Sequence, residues 1–321
     1  MARFNKEVMT VIVPIYKNEL FIPALLTRVE SLSSKLKELI ATEFVFVIDG
    51  SPDNSEGCLV VGLKSLDIRW RICSHSRNFG SWAAIESGLS ETGSAYYLIM
   101  SADLQEPENL ILSMADSLIT DQKPLVVGTR MGRSDGVIKD VSSNIAWWLV
   151  RNFTNKSIPK NGVDIFGCNK IVADYLLGMS EVNSSLIGKL FWLGVETENI
   201  PYERQARDGE SGWTFSKKFK YLTDSIFSFS KLPIVIIQLT GILGIVISTV
   251  VSVVVLLNWS LGNVDVSGYT PIMLMLSFGF STNLLAFGII GSYIWRVFEN
   301  VKGRPRAVIS KKYSVKDIPA T

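Results

Sequence analysis

Histidine is almost absent from this chain. His75 is the only one in 321 residues, which argues against a histidine-rich metal site and against a Ser-His-Asp mechanism. Cysteine is scarce as well. Cys58, Cys73 and Cys168 lie far apart without metal-ligand spacing, so no disulfide framework is implied and a reducing compartment is expected. Charge of one sign is also lacking: the net charge of +2 argues against a general nucleic-acid binder, and clusters of Lys and Arg have to be read by position. No signal peptide is expected, because Met1 to Glu7 is polar and the apolar run that follows is only strand-length. What the chain has in excess is apolar residues. Its mean hydropathy of +0.27 is too high for an ordinary soluble enzyme, and the excess sits toward the C-terminal end.

The most informative stretch is Tyr96 to Pro107, where an apolar run ends abruptly in Ser101-Ala102-Asp103-Leu104-Gln105-Glu106. The pattern predicts a buried strand delivering polar groups at its C-terminal edge, the edge at which open α/β sheets bind ligands. Asp103 and Gln105, two apart on an extended segment, suit one hard divalent cation that in turn holds a diphosphate. The alternative is that Asp103 caps the helix beginning near Pro107. Other strands are predicted at Val8 to Ile15, Phe44 to Ile48, Arg69 to Cys73, Leu98 to Met100 and Leu125 to Gly128, with helical patterns from Pro23 to about Ile40 and over Trp82 to Leu89. This alternation predicts an α/β fold, a mostly parallel sheet with helices on both faces. Each strand ends in polar residues: Asn18 and Glu19, Asp49, Arg77 and Asn78, Asp103, Arg130. Five such ends on one edge point to a nucleotide-type site.

Leu232 to Leu257 and Thr270 to Trp295 carry no charged side chain, and each is about 26 residues long where roughly 20 cross a bilayer core. They predict a two-helix transmembrane hairpin. Lys217, Lys218, Lys220 and Lys231 precede it, Arg296, Lys302, Arg304, Arg306, Lys311 and Lys312 follow it, and the connector near Asp265 has neither Lys nor Arg. That asymmetry places both termini and the N-terminal domain in the cytoplasm. The expected organisation is a cytoplasmic catalytic domain over 1–212, an amphipathic juxtamembrane helix over 213–231, spans at 232–258 and 270–295, a short loop at 259–269, and a basic tail over 296–321. The stripe Phe215, Phe219, Leu222, Ile226 and Phe229 suits an anionic membrane surface or packing against the catalytic domain. Val141, Ile145, Trp148 and Phe153 likewise suit either the headgroup region or a buried core helix.

Pro14-Ile15-Tyr16 with Asn18-Glu19, Asp49-Gly50-Ser51, Ser76-Arg77-Asn78-Phe79-Gly80 and Ala102 to Pro107 together resemble the successive motifs of family 2 inverting glycosyltransferases with a GT-A fold. Within that family the chain looks most like the polyisoprenyl-phosphate glycosyltransferases, the group of bactoprenol glucosyltransferase and dolichol-phosphate mannose synthase. The resemblance covers nearly the whole chain. It implies a Rossmann-like GT-A catalytic domain, interfacial helices and a membrane hairpin in the inner (cytoplasmic) membrane, with association of copies through the membrane helices. It implies that one sugar, glucose by default, moves from a UDP-linked donor to undecaprenyl phosphate, making a lipid-linked sugar for cell-surface polysaccharide.

Residue by residue, the resemblance puts Pro14, Tyr16, Glu19 and Asp49 around the base and ribose, with Arg77, Asn78, Ala102 and Asp103 also at the nucleotide-sugar. Asp103 and Gln105 match the positions for Mg²⁺ or Mn²⁺ and diphosphate. Arg130, Arg133, Lys139 and Ser143 fall where the family binds the acceptor phosphate. Arg204 and Arg207, with Gly209, Ser211 and Trp213, match a signature whose arginines serve the donor diphosphate or the acceptor phosphate; with Asp103 they make the implied catalytic set. The chain departs from the family at three places: Ser101 and Ile48 stand where an acidic residue is usual, and Gly162 to Cys168 lacks the Arg that commonly follows the Phe. Loss of the acid at position 101 raises the alternative of a catalytically inactive membrane scaffold. Transfer to a lipid hydroxyl is a further alternative, with Asp164 as its base.

Overall fold

The computed structural model describes residues 7–131, 155, 157–159, 162–179, 181, 184–203, 232–261 and 268–315. The order of elements is β1 (Val8–Ile15), α1 (Ile22–Leu36), β2 (Ala41–Ile48), α2 (Ser55–Leu63), β3 (Arg69–His75), α3 (Ser81–Ser90), β4 (Tyr96–Ile99), α4 (Glu108–Ile119), β5 (Leu125–Arg130), β6 (Ile165–Asn169), α5 (Lys170–Gly178), α6 (Leu186–Trp192), β7 (Thr197–Tyr202), α7 (Leu232–Ser260), α8 (Tyr269–Val301) and β8 (Ile309–Ser314). The strands form one sheet in the order β7-β5-β6-β4-β1-β2-β3-β8. β4, β1, β2 and β3 are mutually parallel. β6 runs antiparallel between β4 and β5, β7 lies parallel to β5, and β8 lies antiparallel to β3.

The period of two along each strand sorts side chains to opposite faces. Val11, Val13, Ile15, Phe44, Phe46 and Leu98 share one core with α1, α2 and α4, while Ile12, Val45, Val47, Tyr97 and Ile99 share the other with α3, α5 and α6. In α1 the buried residues Ile22, Leu25, Val29, Leu32 and Leu36 recur at three- and four-residue steps, so one helical stripe meets the sheet. From β1 the chain builds outward through β2 and β3, then returns to the far side of β1 for β4. That reversal opens a crevice beyond the C-terminal ends of β1 and β4.

The five expected strands are all present, but the sheet has eight among the described residues. β6 is short and contains Gly167, where a Cβ would lie 2.4 Å from a methyl of Leu98, so close packing puts a glycine in mid-strand and interrupts the apolar run. β7 is an edge strand carrying Pro201. β8 lies inside the basic tail, its lysines typical of a protected edge. The amphipathic run also stops at Leu36, before a turn through Ile40.

Both expected apolar spans are helical. α7 is 29 residues long, α8 is 33, and the two touch. Among the described residues, Thr282–Val301 is long and apolar enough to cross a membrane by length and composition. Leu284, Phe287, Ile290, Ile294 and Val297 on α8 are exposed.

Candidate active site

The half of the crevice formed by the ends of β1, β2 and β3 is a hydrogen-bonded frame. Tyr16 N–H donates to Asn18 Oδ1 (3.0 Å), Lys17 N–H to Ser51 Oγ (2.8 Å), Asn18 N–H to Ser55 Oγ (3.2 Å) and Glu19 N–H to Asp53 Oδ2 (3.1 Å). Glu19 answers by accepting the N–H of Asn54 at the start of α2 (2.9 Å). Asp53 also accepts from the hydroxyls of Ser51 and Ser55. Burial alone would raise its pKa, but these hydroxyls and the amides of Glu19 and Ser55 outweigh burial and hold it below the usual value.

Asp49 is 2% exposed. Its carboxylate accepts His75 Nδ1–H (2.9 Å), Phe79 N–H (2.8 Å) and Gly80 N–H (2.8 Å). The other ring nitrogen of His75 meets Ser87 Oγ at 2.8 Å. Because a carboxylate only accepts, Nδ1 carries the proton. The loop that Asp49 holds presents Arg77 and Asn78, both exposed, with the Arg77 guanidinium 4.6 Å from the Phe79 ring centroid. Gly50 lies beneath this loop at φ +58°, and a Cβ there would sit 2.2 Å from the Arg77 carbonyl carbon.

The half formed by β4, β5, β6 and β7 is different in kind. Asp103 and Leu104 follow β4, with Leu104 in the left-handed region at φ 56°; Lys17 does the same after β1 at φ 57°. Two non-glycine residues in that region flank the crevice, each carrying a backbone cost of roughly 1 kcal/mol. Glu106 is 2% exposed, and its Oε1 accepts the Ser101 hydroxyl at 2.7 Å. Burial pushes its pKa up to about 7, the Ser101 hydrogen bond opposes, and the charges of Asp103 and Asp164 push further upward. At the end of β5, Arg130 grips Asp164 through Nε (2.5 Å) and Nη2 (3.0 Å), and the Tyr202 hydroxyl donates to the same carboxylate at 2.7 Å. Burial raises the Tyr202 pKa and Asp164 raises it further, so this hydroxyl stays protonated.

The structure therefore brings Pro14, Tyr16, Glu19, Asp49, Arg77, Asn78, Ala102, Asp103, Gln105 and Arg130 to one edge, as the strand ends predict. Tyr16 is exposed and Pro14 half-buried, whereas Ala102 and Gln105 are buried. Three of these side chains are engaged by the protein itself. The Asp49 carboxylate holds its loop from beneath, and Glu19 is engaged at the start of α2. Arg130 belongs to β5 and is ion-paired with Asp164, because β6 runs antiparallel beside β5 and brings Asp164 to its end. The same pair leaves Asp164 a poor candidate for a base. Arg133, Lys139, Ser143, Arg204 and Arg207 lie outside the described residues. Tyr202 gave no sequence signal beyond being aromatic, and the Ser101 to Glu106 bond is invisible without coordinates.

Among the described residues, no three His, Cys, Asp or Glu side chains converge in a way that could hold a metal. The donor set of one carboxylate at Asp103 and one amide at Gln105 fits a hard cation only if a substrate's phosphate oxygens and water complete the shell, a common arrangement for magnesium.

A mostly parallel α/β sheet with a carboxylate at its switch point, framed by these strand-end motifs, has the architecture expected of a GT-A fold. The sequence model for glycosyl transferase family 2 matches residues 10–173, just over half of the chain, and the chain belongs to that family. It is 28% identical over 314 residues to an uncharacterised glycosyltransferase of Synechocystis, covering 97% of each chain. It is 26% identical to a prophage-derived bactoprenol glucosyl transferase of Shigella flexneri, covering 95% of this chain and 98% of that one. It is 24% identical to an undecaprenyl-phosphate 4-deoxy-4-formamido-L-arabinose transferase of Yersinia pestis, covering 94% and 92%. Among solved structures, a glucosyl-3-phosphoglycerate synthase of Mycobacterium tuberculosis is similar with a TM-score of 0.48 and 16% identity, over 69% of this chain and 79% of that one.

Proposed function

We propose that this glycosyltransferase moves one sugar from a nucleotide-sugar to a polyisoprenyl phosphate at a membrane surface. The observation that carries this reading is Asp103 at the β1/β4 crevice, with the Arg77 and Asn78 loop on one side and the Arg130, Asp164 and Tyr202 cluster on the other. Near-full-length similarity to transferases named for bactoprenol and undecaprenyl phosphate supports the acceptor. The two long apolar helices support a hairpin that crosses the bilayer. Lys302 stacked at 4.1 Å over Phe298 and 5.2 Å over Trp295 at the end of α8 suits a headgroup boundary. The charge asymmetry around the spans supports a cytoplasmic catalytic domain.

A phosphate monoester is largely dianionic near neutral pH, since its second pKa is about 6, so its oxygen is already a nucleophile. No strong base is required, consistent with an Asp164 occupied by Arg130. The barrier lies in departure of the nucleoside diphosphate and in positive character at the anomeric carbon. Arg204 and Arg207 are assigned to the phosphates, and Arg133, Lys139 and Ser143, beside Arg130, to holding the acceptor in line. Asp103 and Gln105 would hold a divalent cation, Mg²⁺ or Mn²⁺, which when bound neutralises charge on the leaving diphosphate. Inversion is the expected outcome, an α-linked donor giving a β-linked sugar phosphate.

The test is a transfer assay in detergent with undecaprenyl phosphate, Mg²⁺ or Mn²⁺, and a panel of radiolabelled nucleotide-sugars beginning with UDP-glucose. Label in the organic phase with one donor, lost on chelation, is the expected result. No label with any donor, alongside intact lipid-phosphate binding, overturns the reading in favour of an inactive scaffold.

A further inference from the structure

We propose that the C-terminal strand β8 is a positioning element of the donor site, holding the Ser76–Gly80 loop from the side opposite Asp49. This rests on the reading that Arg77 and Asn78 contact the nucleotide-sugar. β8 pairs with β3 from Arg71↔Ser314 to His75↔Ile309, with an irregularity between Ser74 and His75 where Ser310 Oγ donates to the Ser74 carbonyl at 3.0 Å. The pairing then runs past the end of β3: Ser76 N–H donates to the Val308 carbonyl at 2.9 Å. The loop is thus fixed at its start by β8 and at its end by Asp49 through Phe79 and Gly80.

Side chains tie β8 to the helices around the same site. Glu56 on α2 receives the Tyr313 hydroxyl (2.8 Å) and Lys311 (3.3 Å), and Glu91 after α3 receives Lys312 (2.6 Å). Ahead of the strand, Arg306 pairs with Glu86 on α3. The Lys311 and Lys312 pairs are exposed at their lysine ends and screened by water, so the backbone ladder rather than these pairs seats the strand, while the Arg306–Glu86 pair is largely buried. α8 ends at Val301 and β8 begins at Ile309, so the seven intervening residues reach about 25 Å at most. The donor loop is therefore tethered to the end of the apolar helix.

Alternate residues of an edge strand point their N–H groups inward, so Lys311→Pro combined with Lys312→Pro removes at least one ladder bond wherever the register falls. In the full-length protein this variant is expected to raise the KM for the nucleotide-sugar about tenfold, with kcat and the acceptor KM changed less than about twofold. Lys311→Ala with Lys312→Ala keeps the backbone pairing and is expected to retain the normal donor KM. As a variant that needs no unfolding, Lys312→Cys sets a thiol opposite Cys73, and the oxidised cross-link is expected to leave donor KM and turnover normal. A cross-link that abolishes turnover reversibly on reduction overturns the proposal, because the strand must then leave its seat. A folded double-proline variant with normal donor KM overturns it as well. Arg77→Ala separates the two levels: if it raises donor KM while the proline variant does not, only the strand's role fails. If Arg77→Ala also leaves donor KM unchanged, the reading of the loop fails and the proposal with it.

Discussion

Two carboxylates on the same sheet edge, Asp53 and Glu106, have opposite fates. Burial disfavours the charged form of both. Asp53 meets two hydroxyls and two amides and is held below its usual value, whereas Glu106 meets one hydroxyl and two neighbouring negative charges and rises to about 7. Glu106 Oε2 is buried with no hydrogen-bond partner among the described residues. The β1–β3 half of the crevice thus balances its acids internally and acts as a frame. The β4–β7 half leaves buried Glu106 beside Asp103 with a single hydroxyl donor.

The contrast is broken most sharply by Asp103→Asn. Turnover should fall by about 10²- to 10³-fold, by analogy with loss of other preorganised charge-stabilising groups, while the melting temperature stays within about 2 °C. Steady-state kinetics and a thermal melt check both; a collapsed melt with normal turnover would assign Asp103 to the frame. Gly50→Ala should act first on stability. Its Cβ would meet backbone atoms of Arg77 and Asn78 at 2.2 and 2.4 Å, which cannot swing aside, so a urea melt should show a loss of about 2–4 kcal/mol.

Glu106→Gln sharpens the comparison through its sign. Between pH 4.5 and about 7 the unfolded chain has released this proton while the folded protein keeps it, so stability falls as pH rises through that window and levels off above it. The variant should therefore be more stable than the parent at pH 8, by up to about 3 kcal/mol, with the gap closing toward pH 4.5 in paired melts. Asp53→Ala should give the smallest effect, a loss of about 1 kcal/mol at pH 7. Because the Asp53 pKa is depressed, its stabilisation is present above 3.8 and fades as pH falls through the folded value, so the two proteins should converge in acid.

The parallel centre of the fold was legible because β1 to β5 are apolar runs separated by helical patterns and punctuated by polar turns. β6, β7 and β8 were not, since a glycine chosen for packing, an edge proline and a pair of edge lysines hide the strand pattern. Site residues at strand ends could be named from position along the chain. Their partners could not: Arg130 meets Asp164 across 34 residues and Asp164 meets Tyr202 across 38. His75 is the sharpest case. Its isolation argued against a Ser-His-Asp mechanism, yet Ser87, His75 and Asp49 stand in line at 2.8 and 2.9 Å. The ring is fully buried between sheet and helix, and through Asp49 the arrangement anchors the Ser76–Gly80 loop.

β8 also sets the order in which the molecule can be completed during synthesis. Chains emerge from the ribosome N-terminus first, so β1 to β7 are available long before the strand that covers β3. Until Ile309–Ser314 appears, after both long apolar helices have been made, β3 remains an open edge able to recruit a stray strand. A chain stopped before that point would carry every motif of the crevice and still display an unfinished sheet, a surface by which quality control could distinguish it from the finished protein.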